Sequence, residues 1–329
     1  MSYSRPLKFS DEVKSRLQNT DNKILITGGS GWIGRATIAM LLDSLENSFY
    51  GRTEIFTSTG REIKINNQQV ITRPLQMINE QYFDDAYLIH LAFVTKEKSN
   101  ELSLDEYIFR NQAISDLVTT FAKSNKIAGG FIPSTGAIYK ANGDFEDDIK
   151  KNPYGFLKLL DEQKFLELDV DLSRMAQIRL FNLAGPFMNK SNDYALGSII
   201  NNIYSGGPIE LRSNYPVLRS YVHVADLVEL SFQIMLGMTA GPATPFDTAT
   251  DQTIEIGELA QECKKVLRAE QIEIIRNNFE PSLKEDRYVG DKSTFLKLVS
   301  SARIKLAPIK EQISDTAEWL ASSEYIQSR

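Results

Sequence analysis

Cysteine and histidine are scarce in this chain of 329 residues, with one Cys and two His. The lone Cys263 excludes an intrachain disulfide and gives no sign of an oxidising compartment, so it reads as a small buried apolar residue. His90 and His223 stand far apart with no ligand spacing around them, which argues against a metal site or a histidine-centred triad and for structural roles. Long apolar runs are also missing. No segment has the length to cross a bilayer, and the opening "MSYSRPLKFSDEVKSRLQNTDNK" lacks the apolar core of a signal peptide, so the expectation is a cytoplasmic protein with no membrane partner. There is no excess of positive charge either. A formal net charge of -6 speaks against a nucleic-acid binder that works through a basic face. What remains is an ordinary soluble composition, 42% hydrophobic and 24% charged, in a chain long enough for one large or two modest domains.

Residues 1–22 are polar and charged, and read as an extension carrying one short amphipathic helix. At Lys23 the pattern changes: "KILIT" is a short apolar strand, and "GWIGRATIAMLLDSL" carries apolar residues at helical spacing. Further strand-like runs follow at "EIFTS", "QQVITR", "AYLIHLAFV", "AGGFIPST" and "AQIRLFNLAG", with helical patterns in "DEYIFRNQAISDLVTTFAKS" and "YGFLKLLDEQKFLELD" between the last three. The alternation predicts an α/β fold, a doubly wound parallel sheet with helices on both faces. After Pro186 the rhythm breaks into loops and short elements, where a smaller region begins.

Two constellations carry chemistry. In "TGGSGWIG" the glycines Gly28, Gly31 and Gly34 lie between a strand and a helix. The first permits a tight turn, the second lets the backbone approach a pyrophosphate, and the third lets helix and strand pack closely. The alternative is a glycine-rich turn without a ligand. About 100 residues on, "NPYGFLK" sets Tyr154 four residues before Lys158, on one helix face, with Pro153 at the expected first turn. A free phenol titrates near pKa 10, and a fixed ammonium beside it favours the phenolate. By itself this spacing also suits a partly buried tyrosine and a surface lysine. "FIPSTGAIYK" adds Ser134 and Thr135 at a strand end, placing a hydroxyl at the carboxyl edge of the sheet, where open α/β sheets bind ligands.

With these motifs in order, joined by "IHLAF", Asn111, "RLFNLAGP", "RSYVHVADL" and a closing "EWL", the chain resembles an extended short-chain dehydrogenase/reductase of the NAD-dependent epimerase/dehydratase family, which acts mainly on nucleotide sugars. The resemblance implies a dinucleotide-binding Rossmann domain over 23–185 and a mainly substrate-binding region over 186–329, some of whose elements return to the first domain. It implies Tyr154 as acid/base, Lys158 holding the cofactor ribose and lowering the tyrosine pKa, and Thr135 as the hydroxyl that holds the reacting sugar oxygen. It assigns Gly28, Gly31, Trp32, Ile33, Gly34, Leu91, Ala92, Lys158 and Phe181 to the cofactor, and Asn182 and Arg219 to the substrate. Asn182 is equally readable as a turn residue. Asp226 reads as an N-cap for "LVELSFQIML". A homodimer through the two long helices is expected by the same resemblance.

Departures from the family pattern sort the reaction. Sugar 4,6-dehydratases carry an Asp-Glu pair right after the threonine, whereas Gly136 and Ala137 stand here, which argues against dehydration. NAD-preferring members place a carboxylate at the end of the second strand; this chain has Ser58, with Arg61 just beyond, which favours NADP(H) over NAD(H). Arg35 is a candidate helper or a solvent charge, and Arg73-Pro74 stands where the family often has an adenine-contacting aspartate. The first expectation is an NADPH-dependent reductase of a 4-keto(-6-deoxy) nucleotide sugar. The second is an NAD-dependent nucleotide-sugar 4-epimerase, and the third a catalytically silent dinucleotide-binding regulator or scaffold.

Overall fold

The computed structural model describes residues 3–80 and 82–328. Two compact units make up the chain: Lys8–Leu180 with Val228–Asp247, and Met1–Leu7 with Phe181–Leu227 and Thr248–Arg329.

The first unit is built on seven strands: β1 (Lys23–Thr27), β2 (Thr53–Thr57), β3 (Arg73–Pro74), β4 (Ala86–His90), β5 (Ile127–Thr135), β6 (Met175–Leu180) and β7 (Phe246–Asp247). Their spatial order is β7-β6-β5-β4-β1-β2-β3, with every neighbouring pair parallel. The run "KILIT" is apolar because β1 lies mid-sheet, with Ile24, Leu25 and Ile26 completely buried. Helices α1 (Asp11–Gln18), α2 (Trp32–Leu45), α3 (Leu104–Ser124) and α4 (Pro153–Leu166) belong to this unit. One core cluster joins Leu25, Phe56, Leu88, Phe121, Ile132 and Phe165. The chain builds outward from β1 through β2 and β3, then returns to place β4 on the other side of β1. That reversal opens the sheet edge beyond β1 and β4, the usual place for a ligand in such folds.

The N-terminal amphipathic helix is α1, capped by Ser10, with Val13 and Leu17 fully buried. Arg52 fastens its end, donating to the carbonyls of Leu17 at 3.2 Å and Asn22 at 2.8 Å. Two strand expectations are refined. "QQVITR" divides: Gln68–Val70 pairs with Ile63–Ile65 in a hairpin, and only Arg73–Pro74 joins the main sheet. Asn66 and Asn67 turn that hairpin, at φ 48° and 66°, the left-handed geometry for which asparagine is suited. "AQIRLFNLAG" is likewise two strands, since β6 stops at Leu180 and Asn182–Ala184 pairs with Tyr221–His223 in the second unit.

Inside the second unit two buried carboxylates hold the first residues of the chain. Asp315 accepts from the backbone amides of Ser4 (2.7 Å) and Arg5 (2.8 Å), and its other near neighbour is His223 Nε2 at 3.4 Å. Asp226 accepts from Arg5 Nε at 2.6 Å and from the Ala307 amide at 2.8 Å. Asp226 is therefore a first-turn residue of the helix Val224–Met235, where its carboxylate serves distant chain rather than capping its own helix. Among the described residues no helix is long and apolar enough to cross a membrane.

Replacing Asp315 by Ala removes a fully buried carboxylate and leaves the Ser4 and Arg5 amides without that acceptor. The expected loss is about 2–4 kcal/mol of unfolding free energy, read by urea denaturation.

Candidate dinucleotide and catalytic site

The glycine turn between β1 and α2 is set by sterics. Gly28 has φ +70°, its amide donates to the Phe56 carbonyl at 2.8 Å, and a Cβ on it would lie 2.6 Å from the Ala92 nitrogen. A Cβ on Gly34 would lie 2.6 Å from the Gly28 carbonyl oxygen, so helix and turn can close only on hydrogen. Gly31 differs: the nearest atom to its Cβ is 3.4 Å away, an ordinary contact. Gly31 is the N-cap of α2 and makes no side-chain capping bond, so the first-turn amides beside Trp32 and Ile33 have no side-chain acceptor from that cap. The space over Gly31 and those amides suit a dinucleotide pyrophosphate. Trp32 is buried and Ile33 half-buried at the start of α2. The steric contrast separates two variants. Gly34→Ala should lower the melting temperature by several degrees, whereas Gly31→Ala should melt near wild type yet lose dinucleotide affinity in a fluorescence titration.

Leu91 and Ala92 follow β4 and lie half-buried, their backbone facing Gly28. Both amides donate to Thr27 Oγ1 at 3.2 Å. That hydroxyl also meets His90 Nδ1 at 2.8 Å, and with its acceptor side taken by two amides its one proton goes to the imidazole. Complete burial, with Lys158 nearby, pushes the His90 pKa down to about 3. His90 is thus neutral and structural. Because its folded pKa lies below the unfolded value near 6.5, its contribution is complete above pH 6.5 and is lost as pH falls toward 3. Between pH 6.5 and 5, where most carboxylates have yet to titrate, a His90→Phe variant should show a shallower decline in stability than wild type.

The catalytic candidates meet at the carboxyl end of β5. Thr135 is buried, and its Oγ1 accepts from the Ala137 amide at 3.1 Å. Beside it the Ser134 hydroxyl is buried with no hydrogen-bond partner among the described residues. Asn152, just before Pro153, caps α4 by accepting from the Gly155 amide at 2.9 Å, and its Nδ2 donates to the Ala137 carbonyl at 2.7 Å. One side chain therefore ties the start of the Tyr154 helix to the turn after Thr135. Gly155 makes the approach possible, since a Cβ there would lie 2.1 Å from the Ala137 carbonyl oxygen. Tyr154 is half-buried, its ring edge-to-face with Phe93 at 5.7 Å. Lys158 is buried, donates to the Pro133 carbonyl at 3.2 Å and sits 4.1 Å from the Phe93 ring centroid. Burial lowers the Lys158 pKa, and Asp161 and Glu162 oppose the shift. Asn111, on α3, accepts from the Val94 amide at 2.7 Å and so holds the segment that carries Phe93.

The end of β2 is fixed as well. Thr57 Oγ1 accepts from the Gly60 amide at 3.0 Å and meets Thr72 Oγ1 at 2.9 Å. Ser58, Thr59 and Arg61 are all exposed, with Arg61 Nε donating to Thr59 Oγ1 at 3.0 Å. The long Leu45–Arg52 connection before β2 is accounted for by a 3-10 turn, Glu46–Ser48, and a short helix, Phe49–Arg52. Glu54 lies within β2, 3.6 Å from Arg73, and Arg35 donates to the Lys64 carbonyl at 2.7 Å.

Phe181, Asn182 and Arg219 belong to the second unit. The Phe181 amide donates to Thr248 Oγ1 at 3.2 Å, and its ring lies 4.8 Å from Tyr288. Asn182 sits in a strand rather than a turn, its Nδ2 donating to the carbonyls of Ser220 (3.2 Å) and Tyr288 (3.3 Å). Arg219 is paired with Asp286 at 2.8 Å. Reading the sequence missed Asn152, Phe93 and Asp161. An asparagine directly before a helix-starting proline is a legible cap signal; the other two become visible only once the fold brings them to Lys158.

The model of the NAD dependent epimerase/dehydratase family matches residues 24–245. The chain belongs to that family. Among curated relatives, it is 24% identical over 241 residues to a UDP-2-acetamido-2,6-beta-L-arabino-hexul-4-ose reductase of Pseudomonas aeruginosa, covering 73% of this chain and 56% of that one. It is 22% identical over 289 residues to a UDP-glucose 4-epimerase of Mycoplasma pneumoniae, covering 78% and 85% respectively. The match to that reductase thus spans little more than half of the relative's length. Among solved structures, the UDP-N-acetylglucosamine 4-epimerase of Methanobrevibacter ruminantium superposes with a TM-score of 0.68 at 18% identity, over 92% of this chain and 98% of that one. At that identity the likeness establishes the epimerase/dehydratase fold.

Proposed function

We propose that this family member is an NADPH-dependent reductase of a 4-keto(-6-deoxy) nucleotide sugar. The observation that carries the cofactor half is the end of β2: Ser58 stands where NAD-preferring members place a carboxylate, and Arg61 is exposed three residues on. An arginine can pair with a 2'-phosphate, and no carboxylate at that position repels it. Cells keep NADPH as a reductant, which suits one-way ketoreduction. The curated reductase relative supports the substrate half.

When bound, the reduced nicotinamide supplies the hydride. Tyr154 gives its phenolic proton to the carbonyl oxygen that becomes the hydroxyl, and Lys158 stabilises the phenolate left behind. Thr135, whose oxygen accepts from Ala137, carries the hydroxyl that by the family resemblance orients that carbonyl. Gly136 and Ala137 bring no acid or base for eliminating water. By the family resemblance Asn182 and Arg219 take the nucleotide-sugar end of the substrate.

A second reading, an NAD-dependent 4-epimerase, is favoured by the epimerases among the relatives and structural neighbours. Cofactor retention separates the two. Protein denatured after purification should release no NAD, and the emptied protein should bind NADPH more tightly than NADH; tightly retained NAD would instead identify the epimerase.

Arg61→Ala should weaken NADPH roughly 10–100-fold while sparing NADH, and Ser58→Asp should reverse the preference. Tyr154→Phe should cut turnover by about 10²–10⁴-fold with dinucleotide affinity intact, and near-normal turnover in that variant would remove Tyr154 from the site.

A further inference from the structure

The Lys158 ammonium is buried among protein groups. Its Nζ lies under the Phe93 ring at 4.1 Å, against the Pro133 carbonyl at 3.2 Å and 3.8 Å from Asp161 Oδ2. Both side chains of that ion pair are 8% exposed. Asp161 follows Lys158 by three residues on α4, which puts the two on one helix face.

The neighbouring charges are otherwise engaged. Glu162 forms a two-point pair with Arg179, at 2.9 and 2.8 Å. On α3, Asp116 is bonded to Lys164 at 2.5 Å. On β4, His90 is neutral. Burial raises the Asp161 pKa and lowers that of Lys158, and each opposes the other's shift. Asp161 is therefore the carboxylate whose nearest cation is Lys158.

We propose that Asp161 is a positioning residue for catalysis: it keeps Lys158 protonated beneath Phe93 and so sets the upper pH limit at which Tyr154 can work. The Tyr154 half of this inference rests on the function proposed above; the Lys158 half does not. A buried ammonium without a counter-charge loses its proton at lower pH. The tyrosine then loses the field that makes its proton transferable.

The test uses full-length protein labelled with 15N at lysine Nζ, the Lys158 signal being assigned by its loss in Lys158→Met. The wild-type ammonium should persist to a pH at least one unit above that at which the Asp161→Asn signal titrates, a tenfold or greater fall in proton affinity. Asp161→Glu should restore part of the shift. Asp161→Ala, which removes the carboxylate without adding a polar amide, should move the midpoint in the same direction and keeps the test open should Asp161→Asn fold poorly. A Lys158 midpoint unmoved in Asp161→Asn and Asp161→Ala alike would overturn the proposal. The alkaline limb of NADPH oxidation with a 4-keto nucleotide sugar should move down with the midpoint. Because the NMR titration needs no substrate, a wrong substrate would silence the kinetic assay and leave the lysine result standing.

Discussion

The contact between Gly155 and the Ala137 carbonyl decides where the candidate acid stands relative to the candidate hydroxyl. With 2.1 Å available to a Cβ, only glycine lets the first turn of α4 lie against the 3-10 turn that follows Thr135. Asn152 then bonds both sides of the contact, to the Gly155 amide and to the Ala137 carbonyl. Tyr154 sits between Asn152 and Gly155 in the chain, so its backbone is fixed at two adjacent points. Orientation of a reacting group depends on such fixing, because a misplacement of about 1 Å can cost a hundredfold in rate.

A second cluster does similar work at the glycine turn. Thr27 ends β1, its hydroxyl takes the amides of Leu91 and Ala92, and its proton goes to His90. The chain leaving β4 is thereby drawn toward the Gly28 turn, which in turn hangs from the Phe56 carbonyl of β2. Three strand ends are bonded into one rigid edge. Lys158 enters from α4 beneath this edge and completes it through Pro133. Phe93, one residue past Ala92, inherits its position from Thr27 on one side and from Asn111 through Val94 on the other. Its ring face toward Lys158 and its edge-to-face contact with Tyr154 follow from that placement.

Most of the parallel sheet was legible because its strands are buried on both faces and appear as continuous apolar runs, "KILIT" and "AYLIH" above all. The glycine turn and the Tyr-Lys spacing were legible because their constraints are local. The strand break at Phe181 was not. The run "QIRLFNLAG" stays apolar across it, and only the pairing of Asn182–Ala184 with Tyr221–His223, some 40 residues on, ends one strand and starts another. Asp226 misled for a related reason: a carboxylate at a helix start has a local explanation, while its partners, Arg5 and Ala307, are distant in sequence. Asp161 gave no signal for the same cause. On an α4 rich in charged residues it resembles a solvated acid until the fold buries it beside Lys158.

Arg219 is held by a pair that an anion could displace. Its guanidinium bonds Asp286 Oδ2 at 2.8 Å and the Leu218 carbonyl at 2.9 Å, and stands 5.8 Å from the Tyr288 ring centroid. The carboxylate partner is 46% exposed, so water and salt compete for both ends of the pair, and such pairs contribute about 0–1 kcal/mol. A pyrophosphate offers more charge and two-point geometry to the same guanidinium. The Leu218 bond and the adjacent ring would keep the arginine oriented once Asp286 is displaced. Asp286 thus holds the guanidinium through a weak pair, one that a more highly charged anion would outcompete.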